Sequence, residues 1–460
     1  MISTLNDGTA TNRGNGQGHL LQPDRFARWA WVWAYGAVVT TLAVVRHSLY
    51  VVHGYSLSGY LAAFSLITHG RPEELLTNPL TRAIASNHSW IIWILAPLVS
   101  VLGAGFLFFF SALVVGSGAL ALYRVGQLWQ LEPRTSAIIS SLYLLYPSLI
   151  AANIYDFHPE VWAASLLLWL VWFALKKNWW GFGIMLVLMT GLGIPVAGAL
   201  MLTGIGLLLS KKSVWFGATD LTFTVLYWSL EHGGLIFPHW AWTGRLSLRT
   251  VLYLMWVLLP PSVAAVTLFR RRSALNHWWL LAGVVLAWNI AQGSVADTSP
   301  FTDHSALLAP FGAMALLASG TIFGRFGKWA LLWSTGWVVL MGGYLYHSTW
   351  RPRPANGVEI AAALSLVPKS SLLVSQSYIL PHRGVTDRNW PTTVITSRII
   401  PNHTYVLLNP EVSDGYSTSP ILTAWLNIAK SPAKSRIRYH AAGVWLFQLT
   451  RPLPPQSLGG

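Results

Sequence analysis

The feature that most limits what this chain can fold into is a set of uninterrupted apolar runs, among them Val161–Leu175, Val251–Phe269 and Trp278–Ile290. Such runs approach the ~20 residues of helix that cross a bilayer core. Only helices or closed barrels satisfy their backbone groups in lipid, and runs without a two-residue alternation select helices. Composition agrees: 53% of the 460 residues are hydrophobic and 10% are charged, against about 25% charged in soluble globular chains. The reading is an all-α polytopic membrane protein of about eleven transmembrane helices.

Basic residues set the orientation. Spans are expected near Trp29–Val45, Gly105–Tyr123, Ser136–Ile150, Val161–Leu175, Val214–Leu230, Thr250–Phe269, Leu275–Ala291, Ser305–Ile322 and Trp329–Leu345. The apolar stretch Trp179–Leu209 is too long for one span and reads as a hairpin turning at Gly191–Pro195. Trp90–Leu102 is short and holds Pro97, so it is expected as a juxtamembrane helix on the outer side. With a cytoplasmic N-terminus, Arg124, Arg134, Lys176-Lys177, Lys211-Lys212, Arg270-Arg271-Arg272, Arg325 and Lys328 all fall inside. Asp156, Glu160, Glu231, Asp297 and Asp303 all fall outside.

The domain layout follows. Residues 1–25 are a polar, disordered cytoplasmic tail, and 26–348 form the multi-pass region with a long first outer loop over 46–104. Residues 349–460 read as a small extracytoplasmic α+β domain. There "SLLVSQSYIL" and "TYVLLNP" have strand character, "PILTAWLNIAK" has helical spacing, and "RIRYHAAGVWLFQLT" reads as a hairpin turning at Ala441–Gly443.

Several function classes drop out. The net charge of +15 comes with no nucleic-acid-binding signature and is explained by cytoplasmic loops, so no nucleic-acid partner is expected. With no cysteine, thiol nucleophiles and Cys-ligated metals are excluded. No phosphate loop, HExxH or GxSxG motif is present.

The chemistry-bearing residues cluster in turns assigned to the outer face. "NIYDFHPEVW" places Asp156, His158 and Glu160 within five positions. Asp156 can cap the helix that follows, Pro159 suits a first helical turn, and Glu160 favours the positive end of a helix dipole. Three polar groups are more than a cap needs, and carboxylates beside hydrocarbon often mark function, either cation binding or acid–base chemistry. "FTDHSALLAPF" repeats the pattern with Asp303 and His304, and His88 and Glu231-His232 stand at further outer helix ends. All four could share one outward cavity.

The segment "LYPSLIAANIYDFHPEVWAASLLLWLVWFALKKNWW" resembles the most characteristic stretch of a prokaryotic family of predicted membrane proteins, domain of unknown function twenty-seventy-nine. "GYSLSGYLAAFSLITHGRP", "PFTDHSALLAPF" and "SLLVSQSYILPHRG" followed by "TYVLLN" match in the same order, so the resemblance runs from Trp29 to Arg451. That family is similar in layout to the GT-C class of glycosyltransferases. The resemblance implies a plasma-membrane enzyme moving a sugar from a polyprenyl-phosphate carrier to an acceptor on the outer face. In it Asp156 or Glu160 would be the base or cation ligand, with His158 beside them. His88, Asp303, His304 and Glu231 would shape the cavity, and Arg82 or Arg46 would pair with the lipid phosphate. Its partners would be the bilayer and the polyprenyl-phosphate-sugar donor, and a divalent cation is the one cofactor candidate. The chain departs from the family at Ser56 and Leu61, where the first loop usually carries acids, and at Gly191–Pro195, where a Lys-Glu-Asp stretch is usual. A catalytically inactive binding protein of the same fold is therefore the alternative. A transporter is a third reading, opposed by the placement of nearly all acids at helix ends and by the lack of a repeat.

Overall fold

The computed structural model describes residues 23–50, 54–193, 196–210, 213–232, 254, 277–292, 303–319, 327–345, 356–412 and 417–455. The expected span Thr250–Phe269 lies outside these apart from Leu254, as do Lys211-Lys212, Asp297 and residues 1–22 of the expected tail, whose last residues, from Pro23, are helical.

Helices α1 (Pro23–Ser48) and α5 (Ala104–Leu128) are the two described helices long and apolar enough to cross a bilayer. Between them lie α2 (Tyr55–Thr68), α3 (Arg82–Ser86) and α4 (Ile91–Leu102). The helix expected over Ser136–Ile150 is instead two, α6 (Pro133–Leu144) and α7 (Pro147–Tyr155), bent by 44°. The bend has a cause: Pro147 has no N–H for the ladder and disfavours helical backbone at Tyr146, which is extended. Taken together the pair makes a third span.

The chain continues through α8 (Ala163–Leu175), α9 (Trp179–Thr190), α10 (Ala197–Leu209), α11 (Val214–His232) and α12 (His277–Gln292). The run expected at Ser305–Ile322 divides into α13 (Asp303–Ala306) and α14 (Leu308–Ala318), because Pro310 cannot donate to the Ala306 carbonyl. Helix α15 (Gly327–Leu345) follows. Helices thus stand at the expected places within the described residues. Span length, however, is met by two of them and by one bent pair rather than by about eleven.

The hairpin of α9 and α10 is built as its glycines imply. Gly193 has φ +99, and a Cβ there would stand 2.6 Å from the Asn87 carbonyl oxygen. The turn is pinned to the loop before α4: the Ile91 N–H donates to the Gly191 carbonyl at 3.0 Å and Ser89 Oγ to the Leu192 carbonyl at 3.2 Å. At the far end of the hairpin Trp179 stacks on Phe216 of α11 at 3.9 Å.

Helix α2 is buried continuously from Leu57 to Leu66. A helix apolar on every side belongs in an interior. Leu57, Leu61 and Phe64 join the core of the bundle, while Ala62 packs into the core of the C-terminal unit with Ile360, Leu373 and Leu446. The polar stretch expected after α1 therefore contains the helix that joins the two cores.

The C-terminal unit holds α16 (Gly357–Ser365), α17 (Ser419–Ala429) and a sheet of β1 (Leu373–Ser375), β2 (Asn389–Pro391), β3 (Tyr405–Leu408), β4 (Ser435–Ala441) and β5 (Val444–Leu449). The strand order is β2-β1-β3-β5-β4, with β1 parallel to both β2 and β3 and the rest antiparallel.

Candidate functional site

Asp156 ends α7 with extended backbone, and its side chain reaches another part of the chain. Its Oδ2 accepts from the Ser56 N–H and its Oδ1 from the Leu57 N–H, both at 3.1 Å, and Oδ1 also accepts from its own neighbour Phe157 at 2.7 Å. Ser56 and Leu57 lie in the first turn of α2, whose N-cap, Gly54, has no side chain to offer. Asp156 therefore caps α2 from 100 residues away. This corrects the expectation that it caps the following helix: the turn after it, Pro159–Trp162, is a 3₁₀ helix with no side-chain cap at His158.

Asp156 is 4% exposed. Burial pushes its carboxyl above the ordinary range, while the charge of His158 and the three backbone N–H donors pull it back. Glu160, 8% exposed, faces His158, with Nδ1 and Oε2 3.9 Å apart. The His158 side chain remains 28% exposed. The Tyr60 hydroxyl of α2 stands 3.5 Å from Glu160 Oε1, and its ring meets Phe157 edge-on at 5.0 Å. Phe157 and Trp162 close the apolar floor, and Trp162 Nε1 donates to Ser111 Oγ at 2.9 Å. Two acids, an imidazole and a phenol thus meet at the start of α2, and the imidazole is the member that reaches solvent.

Other expected residues distribute differently. Helix α13 packs on α7 and on the Pro159–Trp162 turn, so the chain at Asp303-His304 is brought beside the cluster, with Ser305 and Ala306 buried against it. The side chains of Asp303, His304 and Glu231 lie outside the described residues. Arg82 is exposed at the start of α3. His88 is exposed in the next turn with φ 53, on the loop pinned to Gly191 and Leu192. Arg46 is 1% exposed and its Nη1 donates to the Ile154 carbonyl at 3.4 Å, at the end of α7 where carbonyls lack helical partners. It is a helix-end ligand inside the protein, not a group presented to a phosphate. Among the described residues no three His, Asp or Glu side chains are grouped to hold a metal ion.

The C-terminal unit roofs this region. The segment after β1 lies on Gly54, where a Cβ would stand 2.7 Å from the Ser377 carbonyl oxygen; the φ of Gly54 is +66. Beside it His382 stacks between His47 of α1 and Tyr50, with ring centroids 4.3 and 3.7 Å away. Asp387 takes hydrogen bonds from Arg71 Nη1 at 2.9 Å and Ser65 Oγ at 3.2 Å. Arg398 donates to the Thr77 carbonyl. None of these junction residues stands out in sequence, because each depends on a partner hundreds of positions away.

One acid departs from the helix-end pattern. Asp220 sits inside α11, fully buried, with Oδ1 accepting from Thr224 Oγ1 at 3.3 Å.

Residues 46–421 match the family described as predicted membrane protein (DUF2079). The chain belongs to this family. Its fold is similar to that of ArnT from Cupriavidus metallidurans, solved bound to undecaprenyl phosphate. The TM-score is 0.53 at 13% identity, over 91% of this chain and 98% of that one. At that identity the likeness concerns the fold alone. No curated protein matches the chain. The matched range includes both α2 and the "DFHPE" turn, the two segments that Asp156 ties together.

Proposed function

We propose that the chain is a GT-C-like membrane glycosyltransferase that moves a sugar from a polyprenyl-phosphate carrier to an acceptor hydroxyl on the outer face of a prokaryotic plasma membrane. The observation that carries the reading is the meeting of His158, Glu160 and Tyr60 at the start of α2, beneath the C-terminal unit. The likeness to a protein solved with undecaprenyl phosphate supports the choice of donor.

In this reading His158 takes the proton of the acceptor hydroxyl as it attacks the anomeric carbon, and the polyprenyl phosphate leaves. Glu160, 3.9 Å away, orients the ring and stabilises its protonated form. Asp156 acts as a positioning residue that fixes α2 and thereby Tyr60. Arg82, exposed on α3, would pair with the lipid phosphate. Asp303 and His304 stand on α13, which packs beside this cluster. The N-terminus lies in the cytoplasm and the C-terminal unit outside, as the basic clusters require.

The test is transfer from a short-chain polyprenyl-phosphate sugar in reconstituted membranes. His158→Gln is expected to lower turnover by about 10²–10⁴-fold with donor binding retained. Full activity in that variant would remove His158 from the mechanism. The alternative, a binding protein without turnover, is favoured by one observation: the buried carboxylate of the turn, Asp156, is committed to backbone donors. Donor binding by the parent chain with no transfer to any hydroxyl acceptor would select it.

A further inference from the structure

At the end of the bundle opposite the Asp156 turn, six chain segments surround a cavity of about 280 Å³. They are the ends of α5, α8, α10 and α14 and the starts of α6 and α12. Trp129, Leu175, Leu207 and Trp278 give it apolar walls. Two polar groups interrupt them, Ser210 and His277. The His277 ring makes one bond to the Gly206 backbone, and its Nε2 is shielded from solvent with no hydrogen-bond partner among the described residues.

The rim is basic. Lys176 and Lys177 follow the wall residue Leu175 directly, and the exposed Arg134 lies three positions after the wall residue Leu131. Glu132 is the one acid of these two short stretches. Basic pockets between membrane helices take anionic lipid headgroups. The volume sits just under the roughly 300–1,000 Å³ of drug-sized ligand sites, which suits part of one chain and leaves a headgroup outside.

We propose that this cavity holds part of one acyl chain of an anionic phospholipid, with the headgroup phosphate among Lys176, Lys177 and Arg134. The site is independent of sugar transfer at the other end.

Native mass spectrometry of the full-length chain tests it, with phosphatidylglycerol or phosphatidylcholine of identical acyl chains added in detergent. One phosphatidylglycerol is retained per chain, preferred about a hundredfold over phosphatidylcholine, since each of the three cations near the headgroup adds about a fivefold factor. Lys176→Ala combined with Lys177→Ala, both outside the bundle core, cuts that preference about twenty-five-fold, to the roughly fivefold that Arg134 supplies. Ala318→Phe, at an exposed wall position, lowers retention of either lipid by filling the cavity. Equal retention of the two lipids by the parent chain overturns the proposal. So does a preference unchanged in the double alanine variant, or displacement of the lipid by millimolar inorganic phosphate, which would mark a phosphate site with no acyl component.

Discussion

Replacing Asp156 by Ala removes both acceptors from the first turn of α2 while leaving every apolar contact of that helix in place. The Ser56 and Leu57 N–H groups, each held at 3.1 Å, would then be buried donors without partners, because Gly54 offers no side-chain substitute. Loss of a helix cap costs about 0.5–2 kcal/mol, and a hydrogen bond to a charged group about 1.5–3 kcal/mol. Asp156 is 4% exposed, so water does not replace the lost acceptors, and about 2–4 kcal/mol of local stability is at stake. The assay is amide hydrogen exchange in nanodiscs. A loss of 2 kcal/mol speeds exchange at Ser56 and Leu57 by about thirtyfold, and the effect should extend to Tyr60 one turn on. Asp156→Asn keeps one acceptor oxygen and should lose about half as much. If Asp156→Ala left exchange at Ser56 and Leu57 unchanged, the capping account would be wrong and its role as a positioning residue would go with it.

Two further outcomes follow from the junction between the bundle and the C-terminal unit. Burial, with the neighbouring His47 second, pushes the His382 imidazole down to about 3, so docking is complete above about pH 6.5 and weakens as the pH falls toward 3. By pH 5 the loss is about 2 kcal/mol, read as faster exchange at 380–383, and His382→Phe should reduce the pH dependence while keeping the ring stack. Gly54→Ala forces a side chain into φ +66 and against the Ser377 carbonyl, which should lower the thermal midpoint by several degrees; an unchanged midpoint would mean the junction is looser than its geometry.

How much of this was visible in the residues depends on how local each cause is. Continuous apolar runs gave helices close to where α1, α5, α8 and α12 lie, because burial in lipid is written into every position of a run. Breaks were harder. Pro147 and Pro310 each divide a run that reads as one helix by hydropathy, and the bend of 44° is a backbone effect that an average over side chains does not register. The turn "DFHPE" was correctly singled out as a polar cluster, but the partner of Asp156 was not, since a remote cap has no sequence period. Tyr60 was hidden for a related reason: in "YSLSGYLAAF" it looks like one more core aromatic, and only the fold sets its hydroxyl against Glu160. Asp220 went unnoticed inside an apolar helix that otherwise keeps its acids at the ends.

The remote cap also explains how the chain differs from its family at Ser56 and Leu61. Leu61 is 1% exposed in the bundle core, so an acid there would be a buried charge with no partner, and its absence is a packing requirement. Ser56 is different. Its N–H meets the carboxylate of Asp156, so the start of α2 already faces one negative charge. Ser56→Asp should therefore destabilise the parent chain, because two carboxylates would crowd one helix N-terminus. The same change combined with Asp156→Ser should recover most of the loss, since an acid in the first turn of α2 again faces its unpaired N–H groups. A double-mutant cycle on thermal stability measures the coupling, expected at about 1–2 kcal/mol in favour of the swapped pair. Strict additivity of the two changes would show that the carboxylates do not share one site.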